Sequence, residues 1–514
     1  MLHNVRDARV VEGGSTITQQ VAKLLLGSQR RTFAQKARQT VIALRLEHRL
    51  SKREILALYL NLAPYGNRIS GIARASRSYF GVAPAELTPA QAAYLAALPQ
   101  RPSAFNPLRD SRRAMARQQY VLARMHDDGL LDGAALQHVR AERLRFDSGA
   151  KAVVAQHFIE RVLASNEDQT LIRTTLDANL QRQVAGIIAA NRTLLLNHGA
   201  KSVAVAVLDN ATGEWLAWEG SGDYFGQGFG GAIDGVAALR QPGSTLKPFT
   251  YALAFERGMS PATVLPDIPS HFATAEEGVV YTPRNYDGRY RGPLRIRAAL
   301  AGSENVPAVA MLNKLGPASL LRFLHAAGFR NLDKTADYYG LGLTLGDAEV
   351  SLEQLVTAYA TLARGGVHIA PRFTTGARNA AHPKALLAKR TAFLVTDILS
   401  DPEAREFIFG SGGSLDFPFP VAVKTGTSQA YRDNWVLGYT REVTVGVWVG
   451  NFDRAELRNS TGITGAGPIF NGVMLAAVKR ARGTIPVGDQ TPILDPPADV
   501  EHAPVCTLSG ARPN

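Results

Sequence analysis

Two strand-rich blocks enclose a helical stretch in the carboxy-terminal two-thirds of the chain. The first block covers residues 202–208 and 214–218, with the turn-forming sequence 209–213 between them. The second block covers residues 421–423 and 435–449. Helical patterns occupy the interval, at about 244–257, 304–314 and 350–364. Strands at both ends of a segment with helices between them predict an α/β domain built around one mainly antiparallel sheet.

The amino-terminal third has a helical pattern and predicts a separate helical domain. Apolar residues recur near the 3.6-residue period over 34–62, with an interruption at Ser51. Ser51 and Glu54 form a capping-box pattern that starts a new helix, which Pro64 and Gly66 end. We therefore predict a multidomain chain of four parts: a helical domain over 1–113, a helical connector over 114–170, the α/β domain over 171–484, and a proline-rich tail over 485–514 that begins a truncated further domain.

The composition excludes several classes of protein. The 514 residues include 57 Lys and Arg against 44 Asp and Glu, a formal net charge of +13, and one cysteine, Cys506. One cysteine excludes an internal disulfide framework, a CxxC redox site and a thiolate zinc site. No HExxH or other histidine cluster has metal-ligand spacing, so we expect neither a metal nor a cofactor. RNA-binding, zinc-finger and leucine-zipper patterns are lacking, so nucleic acid is not an expected partner.

Ser244 and Lys247 form an SxxK motif at the start of an apolar helical pattern. Positions i and i+3 share one face of a helix, so we expect the Lys247 ammonium to reach the Ser244 hydroxyl. A desolvated lysine can act as the base that a nucleophilic serine needs, and the amino-terminal end of a helix favours a developing oxyanion. A second SxxK copy over 148–151 contains Gly149 in a polar stretch, and we interpret it as a solvated loop.

Two further motifs follow this SxxK in the sequence. Residues 303–305 (SEN) form an SxN motif, and residues 424–427 (KTGT) contain a KTG motif after an apolar segment. Fifty-nine residues separate Ser244 from Ser303, and 121 separate Ser303 from Lys424. The order SxxK, SxN, KTG is found in penicillin-binding proteins and class A β-lactamases. Three motifs in this order, each in a suitable context, argue against coincidence.

Residues ~170–480 resemble the transpeptidase domain of the class A penicillin-binding proteins. The most specific stretches are 241–249 (QPGSTLKPF) and 424–428 (KTGTS). Three further segments resemble the 1C subgroup of this family: 432–435, 446–451 and 504–510. The resemblance implies an α/β fold similar to that of β-lactamases, with an antiparallel sheet.

The same resemblance implies a role for each motif residue. Lys247 would accept the proton of Ser244, which would attack the penultimate carbonyl of a peptidoglycan stem peptide ending in D-Ala-D-Ala. Backbone N–H groups of Ser244 and Thr427 would form the oxyanion hole. β-Lactams would acylate the same serine. The candidate catalytic residues are therefore Ser244, Lys247, Ser303, Asn305 and Lys424, and the candidate substrate-binding residues are Thr425, Gly426 and Thr427.

The amino-terminal third resembles the peptidoglycan glycosyltransferase domain of the same family, which is α-helical and lysozyme-like. The matching stretches are 13–20 (GGSTITQQ), 51–61 and 98–107. The residues carried over are Ser15, Thr16, Gln19, Lys23 and Lys36. Such a domain polymerises a lipid-linked disaccharide, whose pyrophosphate suits basic side chains, and it lies at the membrane surface. The implied location is the bacterial inner membrane, facing the periplasm.

Three departures from the glycosyltransferase pattern predict that this activity is lost or incomplete. The family's first motif, which carries the general base, should precede Gly13 and is not found there. Gln39 aligns with an acidic residue of a later motif, and an amide cannot exchange a proton as a carboxylate does; Leu24 also replaces an asparagine. No apolar run approaches the roughly 18–20 residues of a membrane span, and no signal peptide is visible. We therefore expect a chain truncated at its amino terminus.

Other functions remain open at this point. A β-lactamase would need a deacylating carboxylate, and no ExxLN pattern lies between Asn305 and Lys424. A D,D-carboxypeptidase has no distinguishing motif, because water and an amine can attack the same acyl-enzyme. A non-catalytic module that binds cell-wall peptide or a β-lactam is the alternative from a different class, and slow acylation of an intact Ser244 and Lys247 pair would favour it.

Overall fold

The chain divides into two units, each with its own packed core. The computed structural model describes residues 15–26, 33–66, 69–100, 102, 111–146, 155–166, 171–226, 228–274, 278–376 and 383–512. The units are Met1–Ala152 and Val153–Asn514, and each is described by itself. Within the described ranges, no helix combines the length and the apolar character needed to cross a membrane. The border between the units falls inside the segment predicted as a connector, and the limits of the four parts stay predictions.

The amino-terminal unit is helical over its described residues. Its helices are α1 (Ile17–Leu26), α2 (Phe33–Arg49), α3 (Lys52–Leu62), α4 (Ile72–Phe80), α5 (Pro89–Ala97), α6 (Ser111–Asp127) and α7 (Gly133–Ala141). The predicted capping box is confirmed, because the Glu54 amide donates to Ser51 Oγ and the Ser51 amide donates to Glu54 Oε2 at 2.8 Å. Tyr65, Tyr79 and Tyr94 are buried in its core.

The carboxy-terminal unit is built on a five-stranded sheet, in which each strand is antiparallel to its neighbours. The prediction of one main antiparallel sheet is confirmed. The five strands are β1 (Ser202–Asp209), β2 (Trp215–Glu219), β9 (Ala422–Thr427), β10 (Asp433–Tyr439) and β11 (Val443–Gly450); three small two-stranded sheets are formed by β3 (Val264–Asp267), β4 (Phe272–Ala273), β5 (Val280–Tyr281), β6 (Gly292–Arg295), β7 (Val367–His368) and β8 (Lys384–Ala385). The order of the main sheet is β2-β1-β11-β10-β9, so the two strand-rich blocks of the sequence pair through β1 and β11.

Helices cover both faces of the main sheet. Successive side chains of a strand point to opposite faces, and β1 is buried on both, with Val203, Val205 and Val207 in one core and Ala204 and Ala206 in the other. The helices of this unit are α8 (Gln156–Leu163), α9 (Ala178–Ala190), α10 (Arg192–Asn197), α11 (Lys247–Glu256), α12 (Ile296–Ala301), α13 (Asn305–Leu315), α14 (Pro317–Ala326), α15 (Ala336–Tyr339), α16 (Leu352–Ala363), α17 (Lys389–Ser400), α18 (Pro402–Phe409) and α19 (Gly467–Arg482).

The two helical layers differ in what they carry. Helices α9 and α19 pack on one face of the sheet, and α16 packs on the other against β1 and β11. Helix α11, which follows the SxxK serine, packs against α13, α14 and α17 in the second layer. Burial among apolar helices fixes α11 rigidly, because close-packed interiors tolerate little displacement. The edge strand β9 therefore lies opposite the amino-terminal end of α11, which this packing holds in place.

The proline-rich tail lies against the carboxy-terminal unit. Ile493 is buried in the core, and Arg441 pairs with Asp495 at 3.1 Å. Gly510 approaches the chain so closely that a Cβ there would lie 2.1 Å from the Ala262 carbonyl oxygen. The tail thus contacts the unit at these points, while most of its described residues are exposed, as the linker-like sequence pattern indicates.

Two buried tryptophans provide a matched test of how the sheet is tied to the SxxK segment. Trp435 on β10 donates from Nε1 to the Gln241 carbonyl at 2.9 Å, whereas Trp215 Nε1 on β2 is buried without a partner among the described residues. Replacing Trp435 by Phe should therefore cost about 1–3 kcal/mol more unfolding free energy than replacing Trp215 by Phe, because one acceptor loses its donor. The 4 tryptophans of the chain all lie in this unit, so fluorescence-detected urea unfolding reports on it. Equal losses of unfolding free energy in Trp435→Phe and Trp215→Phe would contradict this interpretation of the Trp435 hydrogen bond.

Candidate active site

Ser244 lies in a tight turn immediately before a helix. The turn is a single 3₁₀ segment, Gly243–Leu246, and α11 begins at Lys247. In a 3₁₀ turn, residues i and i+3 align, so Ser244 and Lys247 share one side of the chain as predicted from their spacing. Pro248 is accommodated because the first turn of a helix has no intrahelical N–H partner to lose. Ser244 is thus at the amino-terminal end of α11 and only partly buried.

Lys247 is completely buried and bonds to the SxN segment. Its Nζ donates to the Ser303 carbonyl oxygen at 2.5 Å and to Asn305 Oδ1 at 2.6 Å, and it lies 3.5 Å from Ser303 Oγ. Over the described part of the chain, no hydrogen bond joins Lys247 to the Ser244 hydroxyl, although the sequence predicts this contact. The physical reason is that a buried amine requires acceptors, and the carbonyl and amide oxygens of the SxN segment supply them.

The charge state of Lys247 is set by its surroundings. Burial lowers the pKa of the Lys247 amine well below its usual value, and the nearby Lys424 lowers it further, while the Glu304 carboxylate opposes both effects. A lowered pKa increases the fraction of free amine near neutral pH. Free amine is the form that can accept a proton from a hydroxyl.

The SxN segment turns sharply between α12 and α13. Ser303 has a φ of 63°, a left-handed conformation that is costly for a residue with a side chain. Its hydroxyl accepts a hydrogen bond from Lys424 Nζ at 2.7 Å. Asn305 is the first residue of α13, where its amide donates to Asn285 Oδ1 at 2.9 Å and its side-chain nitrogen donates to the Arg284 carbonyl at 2.8 Å. Strain of this kind persists only where surrounding contacts enforce it.

The KTG motif lies on the edge strand β9 and touches the SxxK turn. A Cβ at Gly426 would lie 2.4 Å from the Pro242 carbonyl oxygen, and one at Gly243 would lie 2.6 Å from the Thr427 carbonyl oxygen. Only glycine at both positions allows this backbone approach. Lys424 is 3% exposed, and burial lowers its pKa to about 7.

A cleft of about 640 Å³ brings the predicted residues together. Its walls include Ser244, Ser303 and Asn305 from the helical layer and residues 425–427 from β9. The two lysines are buried, and both contact Ser303, so one hydroxyl lies between two amines. This arrangement can take a proton from one group and deliver it to another without bulk water.

Several residues of the site carry no motif in the sequence. Asn285, Arg284 and Tyr286 come from the segment between β5 and β6, and Asp267 ends β3. Asn285 donates to Asp267 Oδ1 at 2.7 Å and holds the amide of Asn305. Glu304, inside the SxN motif, is also buried. The residues outside the motifs could not be predicted, because their chain positions are brought to the site only by the small sheets, and the burial of Glu304 could not be predicted, because it depends on three-dimensional packing.

The amino-terminal candidates show local roles in the structure. The Thr16 amide donates to Gln19 Oε1, and the Gln19 amide donates to Thr16 Oγ1, both at 3.2 Å, so this pair caps α1. Ser15 is half-buried beside them, while Lys23 and Lys36 are exposed. Among the described residues, no cluster of histidine, cysteine or carboxylate side chains could hold a metal ion.

Family models match both units of the chain. Residues 203–475 match the penicillin binding protein transpeptidase domain, and residues 1–126 match the transglycosylase. The chain is 35% identical to Penicillin-binding protein 1C of Escherichia coli (strain K12) over 471 residues, covering 91% of this chain and 59% of that protein. It is 31% identical to Penicillin-binding protein 1F of Bacillus subtilis (strain 168) over 479 residues, covering 87% and 64%. The chain thus spans less than two-thirds of the length of these relatives.

Solved structures share the fold. The crystal structure of Penicillin-Binding Protein 1A from Haemophilus influenzae matches with a TM-score of 0.64 and 20% identity, covering 96% of this chain and 92% of that one. The PonA1 protein from Mycobacterium tuberculosis in complex with penicillin V matches with a TM-score of 0.52 and 23% identity, covering 66% and 98%. The fold of the carboxy-terminal unit is that of a penicillin-binding transpeptidase domain. The chain belongs to the penicillin-binding protein family.

Lys424 should give the carboxy-terminal unit a characteristic dependence of stability on pH. Its folded-state pKa of about 7 lies below the roughly 10.4 of an exposed lysine, so the unfolded chain binds more protons between these values. Lys424 should therefore contribute a rise of stability with pH above about 7. The amine of Lys247, whose pKa is also lowered, contributes a rise of the same sign, so Lys424→Met should make the rise between about pH 7 and pH 9 less steep without abolishing it.

The measurement is urea unfolding followed by tryptophan fluorescence at each pH. Lys314→Met, which removes an exposed lysine of α13, serves as the control and should leave the slope unchanged. An identical slope in Lys424→Met and the unaltered protein would show that Lys424 titrates as an ordinary lysine.

Proposed function

We propose that the carboxy-terminal unit is a peptidoglycan D,D-transpeptidase that works through an acyl-enzyme on Ser244. The observation that carries the proposal is the contact of one hydroxyl, that of Ser303, with the buried amines of Lys247 and Lys424, at the wall of the cleft that Ser244 lines. The relatives are penicillin-binding proteins, which supports D-Ala-D-Ala stem peptides as substrates and β-lactams as ligands.

Acylation begins with attack of Ser244 Oγ on the carbonyl carbon of the penultimate D-Ala. The Oγ–carbon bond forms, the hydroxyl proton passes to the free amine of Lys247, and the carbonyl oxygen becomes an oxyanion. Backbone N–H groups of Ser244 and Thr427 donate to this oxyanion. Lys247 bonds to the SxN oxygens in this structure, so its contact with Ser244 would form in the substrate complex, where the hydrogen bonds of a catalytic base often become aligned.

Collapse of the oxyanion breaks the peptide C–N bond. The leaving D-Ala nitrogen takes the proton of Ser303 Oγ, and Ser303 regains a proton from Lys247, 3.5 Å away. The net movement is one proton from Ser244 to the leaving amine. Ser303 suits this task because the strained turn aims its hydroxyl between the two lysines.

The KTG strand recognises the terminal carboxylate of the substrate. Thr425 and Thr427 line the cleft, and Lys424 supplies the positive charge behind them. Because burial holds the pKa of Lys424 at about 7, a bound carboxylate would shift this amine towards its charged form. Lys424 would thus become protonated when the substrate carboxylate binds beside β9.

The acyl-enzyme is released by a second nucleophile. The amino group of a neighbouring stem peptide attacks the ester, its proton leaves through the same lysine and serine groups, and Ser244 is restored with formation of a cross-link. Attack by water on the same ester would give a D,D-carboxypeptidase. The cross-linking reaction is the proposal, and product analysis separates the two.

For the amino-terminal unit, we propose a reduced or incomplete glycosyl transfer on a lipid-linked disaccharide at the membrane surface. Gln39 stands where the family resemblance places an acidic residue, three residues after the exposed Lys36 on α2. An amide offers no proton exchange at that position. The chain would work on the periplasmic side of the inner membrane, where peptidoglycan is cross-linked.

Covalent labelling by a penicillin tests the assignment of the nucleophile. Ser244→Ala should reduce labelling by a fluorescent penicillin below detection, because it removes the hydroxyl at the amino-terminal end of α11 on which the acyl-enzyme would form. Ser148→Ala, which alters the serine of the second SxxK copy, should label like the unaltered protein. Mass spectrometry of the digested adduct should find the added mass on the peptide that contains Ser244. An adduct that survives Ser244→Ala, or no adduct on the unaltered protein, would refute the proposal.

A further inference from the structure

Glu304 is a buried carboxylate inside the SxN motif for which the proposed mechanism has no use. Its side chain is 4% exposed and follows Ser303, whose carbonyl oxygen binds Lys247. The next residue, Asn305, binds the same ammonium through Oδ1. The ammonium of Lys247 is therefore held by the residue before Glu304 and the residue after it. A buried charge is retained at such a position only where other groups compensate it.

Arg291 is the cation that pairs with Glu304. Its Nη1 lies 3.1 Å from Glu304 Oε2, and its Nη2 lies 2.8 Å from Asp287 Oδ2. The Arg291 backbone amide donates to Asp267 Oδ2 at 2.9 Å, and the guanidinium lies over the Phe407 ring at 5.7 Å. The backbone amide, Nη1, Nη2 and the face of the guanidinium all make contacts, and together they hold the Arg291 side chain in one position. Arg291 therefore holds Oε2 of Glu304 in place through their ion pair.

Asn285 links the same group of residues to the start of α13. Its side-chain nitrogen donates to Asp267 Oδ1 at 2.7 Å, while its Oδ1 accepts from the amides of Asn305 at 2.9 Å and Val306 at 3.1 Å. The first amides of a helix have no intrahelical acceptor, so this side chain replaces one. The SxN turn is thus held from behind by groups that do not line the reacting end of the cleft.

The second carboxylate oxygen of Glu304 acts on its neighbours through its charge and not through a hydrogen bond. Glu304 Oε1 is buried without a hydrogen-bond partner among the described residues. Burial raises the pKa of the Glu304 carboxyl to about 7, and Arg291 opposes this effect. The carboxylate in turn raises the pKa of the Lys247 amine. Charges buried this close interact more strongly than charges in water.

We propose that Glu304 is a positioning residue that sets the protonation of Lys247, held in place for this purpose by Arg291. Its negative charge favours the protonated form of Lys247 and so limits, at a given pH, the fraction of free amine that can accept the Ser244 proton. The inference rests on the proposed function, since it assigns Lys247 the part of the base. The charged and titratable groups around Glu304 are Arg291, Asp287, Asp267, Lys247, Lys424 and Tyr251, and the Glu304 and Glu353 variants leave all of them unaltered.

The test compares Glu304→Gln with Glu353→Gln. Glu353 is a matched control because it is a poorly exposed carboxylate paired with an arginine, Arg161, at the same 3.1 Å, on α16 away from the cleft. The rate of acylation by a fluorescent penicillin is measured from about pH 5.5 to pH 9.5. The Glu304 carboxyl is charged above its pKa of about 7, so at those pH values its replacement by glutamine lowers the pKa of Lys247 and increases the fraction of free amine. From about pH 7 upward, until the profile reaches its plateau, the acylation rate of Glu304→Gln should exceed that of the unaltered protein severalfold, with little difference at pH 5.5, and Glu353→Gln should keep the original profile.

If the role of Glu304 were purely structural, its replacement would change the dependence of the acylation rate on pH in a different way. Loss of packing would lower the rate by the same factor at every pH, and that result would overturn the inference. Glu304→Asp keeps the charge and should keep the original profile. Thermal unfolding of each variant shows whether it is folded, and a misfolded Glu304→Gln transfers the test to Arg291→Gln. Loss of the Arg291 cation raises the pKa of the Glu304 carboxyl and leaves it neutral over a wider pH range, so the acylation rate near pH 7 should change in the same direction as expected for Glu304→Gln.

A direct titration separates this inference from the proposed function. With lysine labelled at Cε by ¹³C, the Lys247 signal, assigned by Lys247→Arg, should titrate at lower pH in Glu304→Gln than in the unaltered protein. If the protein takes up no penicillin but this titration shifts, the proposed function fails and the inference on Glu304 stands. If acylation occurs on Ser244 and the titration does not move, the inference fails alone.

Discussion

The burial of two lysine amines on either side of one serine hydroxyl is the constraint on which the site depends. Lys247 and Lys424 are removed from water, and both reach Ser303. Removing an ammonium from water costs several kcal/mol unless it is paired or loses its proton. The surrounding fold supplies the compensation, with oxygen acceptors for Lys247 and a Glu304–Arg291 pair behind them. Chemistry at neutral pH follows from this, because a lysine with a lowered pKa can act as a base.

In the carboxy-terminal unit, the helical layer and the sheet come into contact at two glycines. Gly243 and Gly426 let the SxxK turn and the edge strand β9 approach to backbone contact. The turn is fixed because α11 is packed among other helices, and the strand is fixed because it pairs with β10. Neither element alone forms a site. The cleft between them derives its shape from both the helical layer and the sheet.

The sequence was sufficient to predict the sheet, the capping box at Ser51 and the three motifs, because each rests on local periodicity or on short, specific patterns. It could not predict the partners of Lys247, since the choice between Ser244 and the SxN oxygens depends on three-dimensional packing. The support from Asn285 and Arg291 was equally hidden, because a segment with little regular structure carries both residues to the site. Glu304 was visible in the motif, but only its burial shows that it is more than a variable position.

The most direct measurement is a crystal structure of the protein after reaction with a penicillin. The account predicts an ester on Ser244 Oγ, with the ester carbonyl oxygen within hydrogen-bond distance of the amides of Ser244 and Thr427. It also predicts that Lys247, Ser303 and Lys424 remain in contact beneath the ligand and that the penicillin carboxylate lies against Thr425 and Thr427. A ligand bound elsewhere, or an ester on Ser244 with the lysines turned away from Ser303, would contradict it.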